Sequence, residues 1–186
     1  MVQTPVKSRT LEEFLTLPET KPASEYIDGK IIQKPMPKGR HSILQVELGS
    51  TINANLRKTG IAISFTELRC TFGGRSVVPD IAVFENSRIP RSENGEIGDI
   101  FIAAPDWTIE ILSPDQRMAK VLKNITHCIA HGSQMGWAID PDDRSIIVCQ
   151  SGQDLRVIDE AVMLLPVPVF ASAIQLTLDD VFGWLT

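Results

Sequence analysis

The sequence has no apolar run near the roughly 18–20 residues that cross a membrane as a helix. Residues 1–7 lack the apolar centre of a signal peptide. Cysteine is scarce. Cys70, Cys128 and Cys149 are odd in number and not closely spaced, which excludes a disulfide framework or zinc knuckle and fits free thiols in a reducing compartment. An excess of positive charge is also missing. The net charge of −5 argues against wholesale attraction to nucleic acid. No internal repeat and no low-complexity tract is visible. These absences lead us to expect a cytoplasmic protein without a membrane partner.

What is present is an ordinary globular composition. Of the 186 residues, 43% are hydrophobic and 22% charged, enough to fill one core. We expect a loose tail over residues 1–9 and one domain over residues 10–186. Charge is uneven along the chain. Residues 1–79 carry about +4 and residues 80–186 about −9. Lys30, Lys34, Lys38, Arg40, Arg57, Lys58, Arg69 and Arg75 therefore either form a local basic face or belong to a solvated mixed surface.

Local signals divide the chain. Thr10 and Glu13 fit a capping box for a short helix over residues 11–17. Asp28-Gly29 is a two-residue turn joining the halves of a hairpin over residues 24–33. Residues 40–58 have helical spacing, with Ile43, Val46, Leu48, Ile52 and Leu56 available to a core and Gly60 as the stop. A long strand is expected over residues 61–72, a turn at Gly73-Gly74, and a second strand over residues 76–84. Residues 85–106 form a connection long enough to suggest function or mobility. A strand at residues 107–112 feeds a helix expected from Ser113 to about residue 131, with Gln116 completing a second capping box. Short strands at residues 135–139 and 145–149 follow, then a terminal helix near residues 178–185. This order predicts an α/β (α+β) architecture, a mixed central sheet flanked by helices, with extra strands at both ends.

Two acids stand out. Asp80 and Glu110 each lie within a β-branched, apolar run, where an unpaired carboxylate is costly. Period-two alternation places Asp80 with Val78 and Ala82, and Glu110 with Thr108 and Leu112. If the runs are neighbours in register, the two carboxylates meet, and either one holds a proton or a divalent cation joins them. Oxygen donors favour Mg²⁺ or Mn²⁺ over zinc. The competing reading makes each acid a solvated or arginine-paired strand-end residue. His127 and His131 have i, i+4 spacing without a third ligand, which fits an exposed polar face better than a metal site. Gly73-Gly74-Arg75-Ser76 lacks the length and lysine of a phosphate loop. The serine of residues 132–136 stands one position too early for a nucleophile elbow.

The runs Val78-Pro79-Asp80-Ile81-Ala82-Val83, Ala104-Pro105-Asp106-Trp107-Thr108-Ile109-Glu110-Ile111-Leu112-Ser113-Pro114 and Gly136-Trp137-Ala138-Ile139-Asp140-Pro141 resemble the Uma-type restriction endonuclease family, abundant in photosynthetic bacteria. Glu25-Tyr26-Ile27-Asp28-Gly29 and His41 also match its pattern. The resemblance implies the PD-(D/E)XK nuclease fold: a mixed sheet carrying an Asp and a Glu that bind Mg²⁺, with a lysine that positions or activates water. Asp80 and Glu110 match the two acids, and Glu25 matches a third on an earlier strand. Glu47 on the first long helix is another candidate acid.

The lysine departs from the pattern. Leu112 occupies the position two residues after Glu110, and Asn124 falls at the alternative position in the following helix. Lys120, one turn before Asn124, is the preferred replacement. The resemblance thus implies a Mg²⁺- or Mn²⁺-dependent endonuclease acting on DNA as a homodimer, with Asp80, Glu110 and Lys120 catalytic and Asp80, Glu110 and Glu25 binding metal. The alternative is a nuclease-fold module that binds nucleic acid or a protein without cutting. A third reading makes the acids purely structural.

Overall fold

The computed structural model describes residues 9–114 and 116–186. The tail expected over residues 1–9 lies outside them except for Arg9, whose carbonyl accepts the Tyr26 hydroxyl at 2.8 Å. Helix α1 (Leu11–Leu15) has both halves of its Thr10/Glu13 capping box. Strands β1 (Ser24–Ile27) and β2 (Lys30–Gln33) form the expected hairpin. Asp28 and Gly29 both have positive φ, 50° and 79°, as a type I′ turn requires.

Helix α2 (Gly39–Leu56) ends as expected, with Gly60 at φ 70°. Its core ridge differs from the expected one. Leu44, Leu48, Ile52 and Leu56 are fully buried, whereas Val46 is 57% exposed. The i, i+4 spacing of the leucines and isoleucine defines the stripe, and Val46 falls on the opposite side.

The expected strand over residues 61–72 is two strands, β3 (Ala62–Thr66) and β4 (Cys70–Phe72). Glu67 between them adopts φ 50°, which breaks the pleat. The expected strand over residues 76–84 is likewise divided into β5 (Arg75–Val77) and β6 (Ile81–Glu85). Val78-Pro79-Asp80 carries the chain from one sheet to another, and Pro79 has no N–H to give a ladder. Asp80 is therefore at the mouth of β6, not within a strand.

The smaller sheet has the order β2-β1-β5-β4. The larger one comprises β3, β6, β7 (Trp107–Ile111), β8 (Met135–Asp140), β9 (Ser145–Gln150) and β10 (Arg156–Ile158), in the order β10-β9-β8-β7-β6-β3. Only the β7–β8 pair is parallel, and helix α3 (Met118–Ala130) provides its crossover. This helix starts later than Ser113. Half of the expected cap survives, since the Gln116 side chain accepts the Ser113 N–H at 3.0 Å.

The two faces of the large sheet have different partners. Ile81, Val83, Trp107, Ile109, Trp137 and Ile139 pack with the α2 ridge and with Val181 and Phe182 of α4 (Leu178–Gly183). Each fully buried Leu or Ile contributes about 1.5–3 kcal/mol by leaving water. Ala82 and Phe84 face the small sheet. Ala138 faces Val121 and Ile125 of α3. Gly136 permits that approach: a Cβ there would lie 2.3 Å from the Ile125 side chain. The second face thus receives both the small sheet and α3, and it is the face to which Asp80 and Glu110 belong by strand alternation.

Residues 85–106 are tied down. Asp106 accepts the Glu85 N–H at 2.8 Å and pairs with Arg88, and the Thr71 N–H donates to the Phe101 carbonyl at 2.9 Å. Among the described residues no helix is long and apolar enough to cross a membrane.

Candidate metal centre

The centre forms where the chain changes sheets. The Val78-Pro79-Asp80 segment lies outside the strand ladders, so side chains and one loop amide supply its bonds. Glu25 Oε1 accepts the Val78 N–H at 2.9 Å. Lys34 Nζ donates to the Val78 carbonyl at 2.6 Å. Gln45 Nε2 and the Glu67 N–H donate to the Asp80 carbonyl at 2.8 and 3.2 Å. These bonds bring Glu25 from β1, Lys34 from the end of β2 and Gln45 from α2 to the same place.

β6 and β7 are antiparallel, with Ile81 opposite Ile109. Continuing that register by one residue sets Asp80 opposite Glu110, as the strand parity anticipated. Asp80 Oδ2 accepts the Ile111 N–H at 2.7 Å. Asp80 Oδ1 lies 2.6 Å from Lys34 Nζ and 3.4 Å from His41 Nε2. Lys34 Nζ is also 3.7 Å from Glu110 Oε2. Asp80, Glu25 and Glu110 are only 2%, 4% and 6% exposed, so these interactions are weakly screened.

Three buried carboxylates therefore surround one ammonium group. Burial opposes the charge on Lys34, but Asp80, Glu110 and Glu25 overcome it and raise the Lys34 pKa far above its ordinary value. Burial would raise Asp80 as well, yet Lys34 and His41 lower it well below the carboxylate range. Glu110 goes the other way. Burial, with the charges of Asp80 and Glu25, holds it well above its ordinary value despite Lys34. Burial also raises Glu25, against Lys34 and the Val78 N–H. One ammonium compensates Asp80 and leaves the two glutamates short of positive charge.

Among the described residues no group of three His, Cys, Asp or Glu side chains stands ready to hold a metal ion; here Lys34 takes the central place. The donor set nonetheless fits a hard divalent cation. Its donors are oxygens, burial holds two of its three carboxyls above their ordinary pKa, and Glu25, Lys34, Glu110, Gln116, Lys120 and Asn124 are among the residues lining a cavity of about 20 Å³. That space suits one water or ion. Glu25 and Glu110 line that space, and Asp80, which does not, adjoins it through Lys34; these carboxyls are the oxygen donors a cation there would draw on.

The other candidates are placed differently. Lys120 is exposed at the rim of the cavity, and buried Asn124 lines it one turn later. Glu47 lies about 200° around α2 from Gln45, away from the Asp80 side. His41 and Gln45 present the face that meets Asp80. His127 stacks on Phe72 at a centroid distance of 5.1 Å, and His131 lies tilted against the same ring at 5.7 Å. They join α3 to the β4–β5 turn, where a Cβ on Gly73 would strike the His131 ring.

Lys34 is the contact that motif spacing misses, because the search for a lysine runs forward from Glu110. A signal was present. The Asp28-Gly29 turn fixes Glu25 opposite Ile32, and alternation then places Lys34 on the same face as Glu25.

Comparisons with known proteins agree with this architecture. A family model named Uma2, with the description "Putative restriction endonuclease", matches residues 11–179. The crystal structure of a putative nuclease belonging to DUF820 from Anabaena variabilis ATCC 29413 is 61% identical, with a TM-score of 0.94, over 96% of this chain and 99% of that one. No curated protein matches significantly. The fold is restriction-endonuclease-like, and the chain belongs to the Uma2 family.

Proposed function

We propose that this protein is a divalent-metal-dependent endonuclease that hydrolyses phosphodiester bonds of DNA. The observation that carries the reading is the buried Asp80–Lys34–Glu110 contact with Glu25 beside it, three carboxyls gathered about one ammonium, two of them pushed above their ordinary pKa by burial. Asp80, Glu110 and Glu25 would bind Mg²⁺ or Mn²⁺. When bound, such an ion supplies a lowered water pKa and neutralises charge at phosphorus.

The chain's own residues do the rest. The Ile111 N–H and Gln45 hold Asp80 at its side chain and carbonyl, which fixes its orientation. Lys34 stays protonated among its carboxylates, so it serves as a fixed positive charge and not as a base. A fixed charge aimed at a reacting phosphoryl group needs no reorganisation during reaction. Lys120, at the rim, is assigned contact with a flanking phosphate, and Lys34 takes the central role that the family resemblance implied for Lys120. A homodimer belongs to the same proposal, since two sites address two strands.

Incubation of supercoiled plasmid with Mg²⁺ tests the reading. Wild type is expected to nick or linearise it, and Asp80→Ala and Glu110→Ala are each expected to lose about 10³-fold or more in rate. Cleavage persisting in either variant overturns the assignment. Cation binding without cleavage by wild type supports a non-cutting module instead.

The raised glutamates give a pH dependence. Without metal, the folded protein keeps protons on Glu25 and Glu110 that the unfolded chain has lost. Their stabilising contribution is complete below the ordinary value of 4.5 and is lost as pH rises through the higher folded values. A divalent cation replaces those protons. Saturating Mg²⁺ should therefore raise Tm more at pH 8 than at pH 5, as read by calorimetry. An equal or smaller shift at pH 8 contradicts the assignment.

A further inference from the structure

One buried side chain at the centre has no partner. Asn124 is 8% exposed and lines the small cavity that Glu25 and Glu110 also line. We propose that Asn124 is a further ligand of the divalent cation, a neutral oxygen donor that completes the carboxyl set of Glu25 and Glu110. The inference rests on the metal-dependent reading for its cation, but not for its geometry.

Two independent observations support it. The first is the carboxamide itself. Among the described residues the Asn124 side chain has no hydrogen-bond partner, and neither of its polar atoms is sealed in the core. They open on the cavity. Buried polar groups are ordinarily paired, and one left over is costly. Folding gains nothing here to offset the cost. Asparagine is a poor residue for a helix interior, yet Asn124 stands in the middle of α3, beside Val121 and Ile125, which pack into the core. Leucine would serve both the helix and the packing better.

The second is what shares the cavity. Glu25 comes from β1 and Glu110 from β7, and the space of about 20 Å³ between them and α3 admits one ion or water. A hard divalent cation takes carboxylate and carboxamide oxygens alike. A neutral oxygen adds a donor without setting another negative charge beside the two glutamates. Lys34 and Lys120 also border the space and oppose a cation. Lys34, however, is drawn to Asp80 at 2.6 Å against 3.7 Å to Glu110, and Lys120 is exposed, where solvent and salt screen it.

Two variants separate a ligand from a structural residue. Asn124→Leu keeps the volume and removes the oxygen. Asn124→Asp keeps the shape and adds a charge. Mn²⁺ is titrated into each by calorimetry at pH 8, and Tm is read in EDTA. Mg²⁺ is titrated into isotope-labelled wild type, followed by the Asn124 side-chain amide resonances, which are assigned by their absence from Asn124→Leu. Plasmid cleavage is measured in Mg²⁺.

Asn124→Leu should bind Mn²⁺ about tenfold more weakly, with a Tm in EDTA equal to or above that of wild type. Asn124→Asp should bind Mn²⁺ at least as tightly as wild type, with a lowered Tm in EDTA that the cation restores. The wild-type side-chain amide should shift with Mg²⁺ and saturate. Equal Mn²⁺ affinity in wild type and Asn124→Leu, or an amide that Mg²⁺ leaves unmoved, overturns the ligand. A fall in the Tm of Asn124→Leu overturns it too, since that is the mark of a structural residue. Weakened binding and a shifted amide without any cleavage by wild type leave the ligand standing and remove the nuclease reading. Cleavage by wild type with an unmoved amide does the reverse.

Discussion

Lys34→Met is expected to abolish metal-dependent DNA cleavage while strengthening divalent-cation binding. The two effects have one origin. Lys34 Nζ lies 2.6 Å from Asp80 and 3.7 Å from Glu110, so it is both the positive charge nearest the reacting position and a rival for the same carboxylates. Removal of one preorganised charge or donor from such a site costs about 10²–10³-fold in rate. Removal of an ammonium also relieves its repulsion of an incoming cation. Lys120→Met, at the exposed rim, should cost less than about tenfold. A Lys34→Met protein that cuts at the wild-type rate, or a Lys120→Met protein that is the more damaged of the two, would reverse the assignment of the lysine.

Asp80→Asn and Glu110→Gln should differ sharply in the stability of the metal-free protein. Asp80 is held ionised, accepts the Ile111 N–H and is the main partner of buried Lys34. Its neutralisation leaves Lys34 with its principal counter-charge gone, a change that costs about 3–5 kcal/mol. In a protein of this size that lowers Tm by on the order of 10 °C. Burial pushes Glu110 well above its ordinary pKa, so the metal-free fold favours its neutral form. Glutamine is then close to isosteric with the form already present, and the cost should stay below about 1 kcal/mol. Thermal unfolding in EDTA reads both. Equal losses in the two variants would mean that Glu110 is as fully ionised as Asp80.

Much of the fold was legible because local chemistry and tertiary structure agree. The Thr10/Glu13 box, the Asp28-Gly29 turn and the Gly73-Gly74 turn occur where residue type requires them, and the β7–α3–β8 order holds although α3 starts later than Ser113. Besides the exposed Val46 and the late start of α3, the main failures share one feature. Residues 61–72 and 76–84 each read as one continuous apolar strand, yet each is shared between two sheets. Composition does not record which sheet a residue joins. Glu67 at positive φ and the missing N–H of Pro79 are the local marks of the change, and only Pro79 is visible as such in the sequence.

The candidate site was legible to a similar depth and no further. Strand parity was sufficient to bring Asp80 and Glu110 together, because β6 and β7 are adjacent. Lys34 was not found, since its approach depends on the small sheet folding over the mouth of β6. Nothing in the spacing between Lys34 and Asp80 encodes that packing. His41 was marked by the family pattern, but Gln45 is legible only once the α2 ridge is known, for both lie on the side that the Leu44–Leu48 stripe turns towards the sheet.

Calorimetric titration of Mn²⁺ into wild type, Asp80→Ala and Lys34→Met at pH 8 tests the central claim most directly, because it reads the cation site without requiring a substrate. The expected result is saturable binding by wild type, none by Asp80→Ala, and tighter binding by Lys34→Met. Binding of equal affinity by wild type and Asp80→Ala would contradict it and return Asp80, Lys34 and Glu110 to a purely structural role at the crossing between sheets.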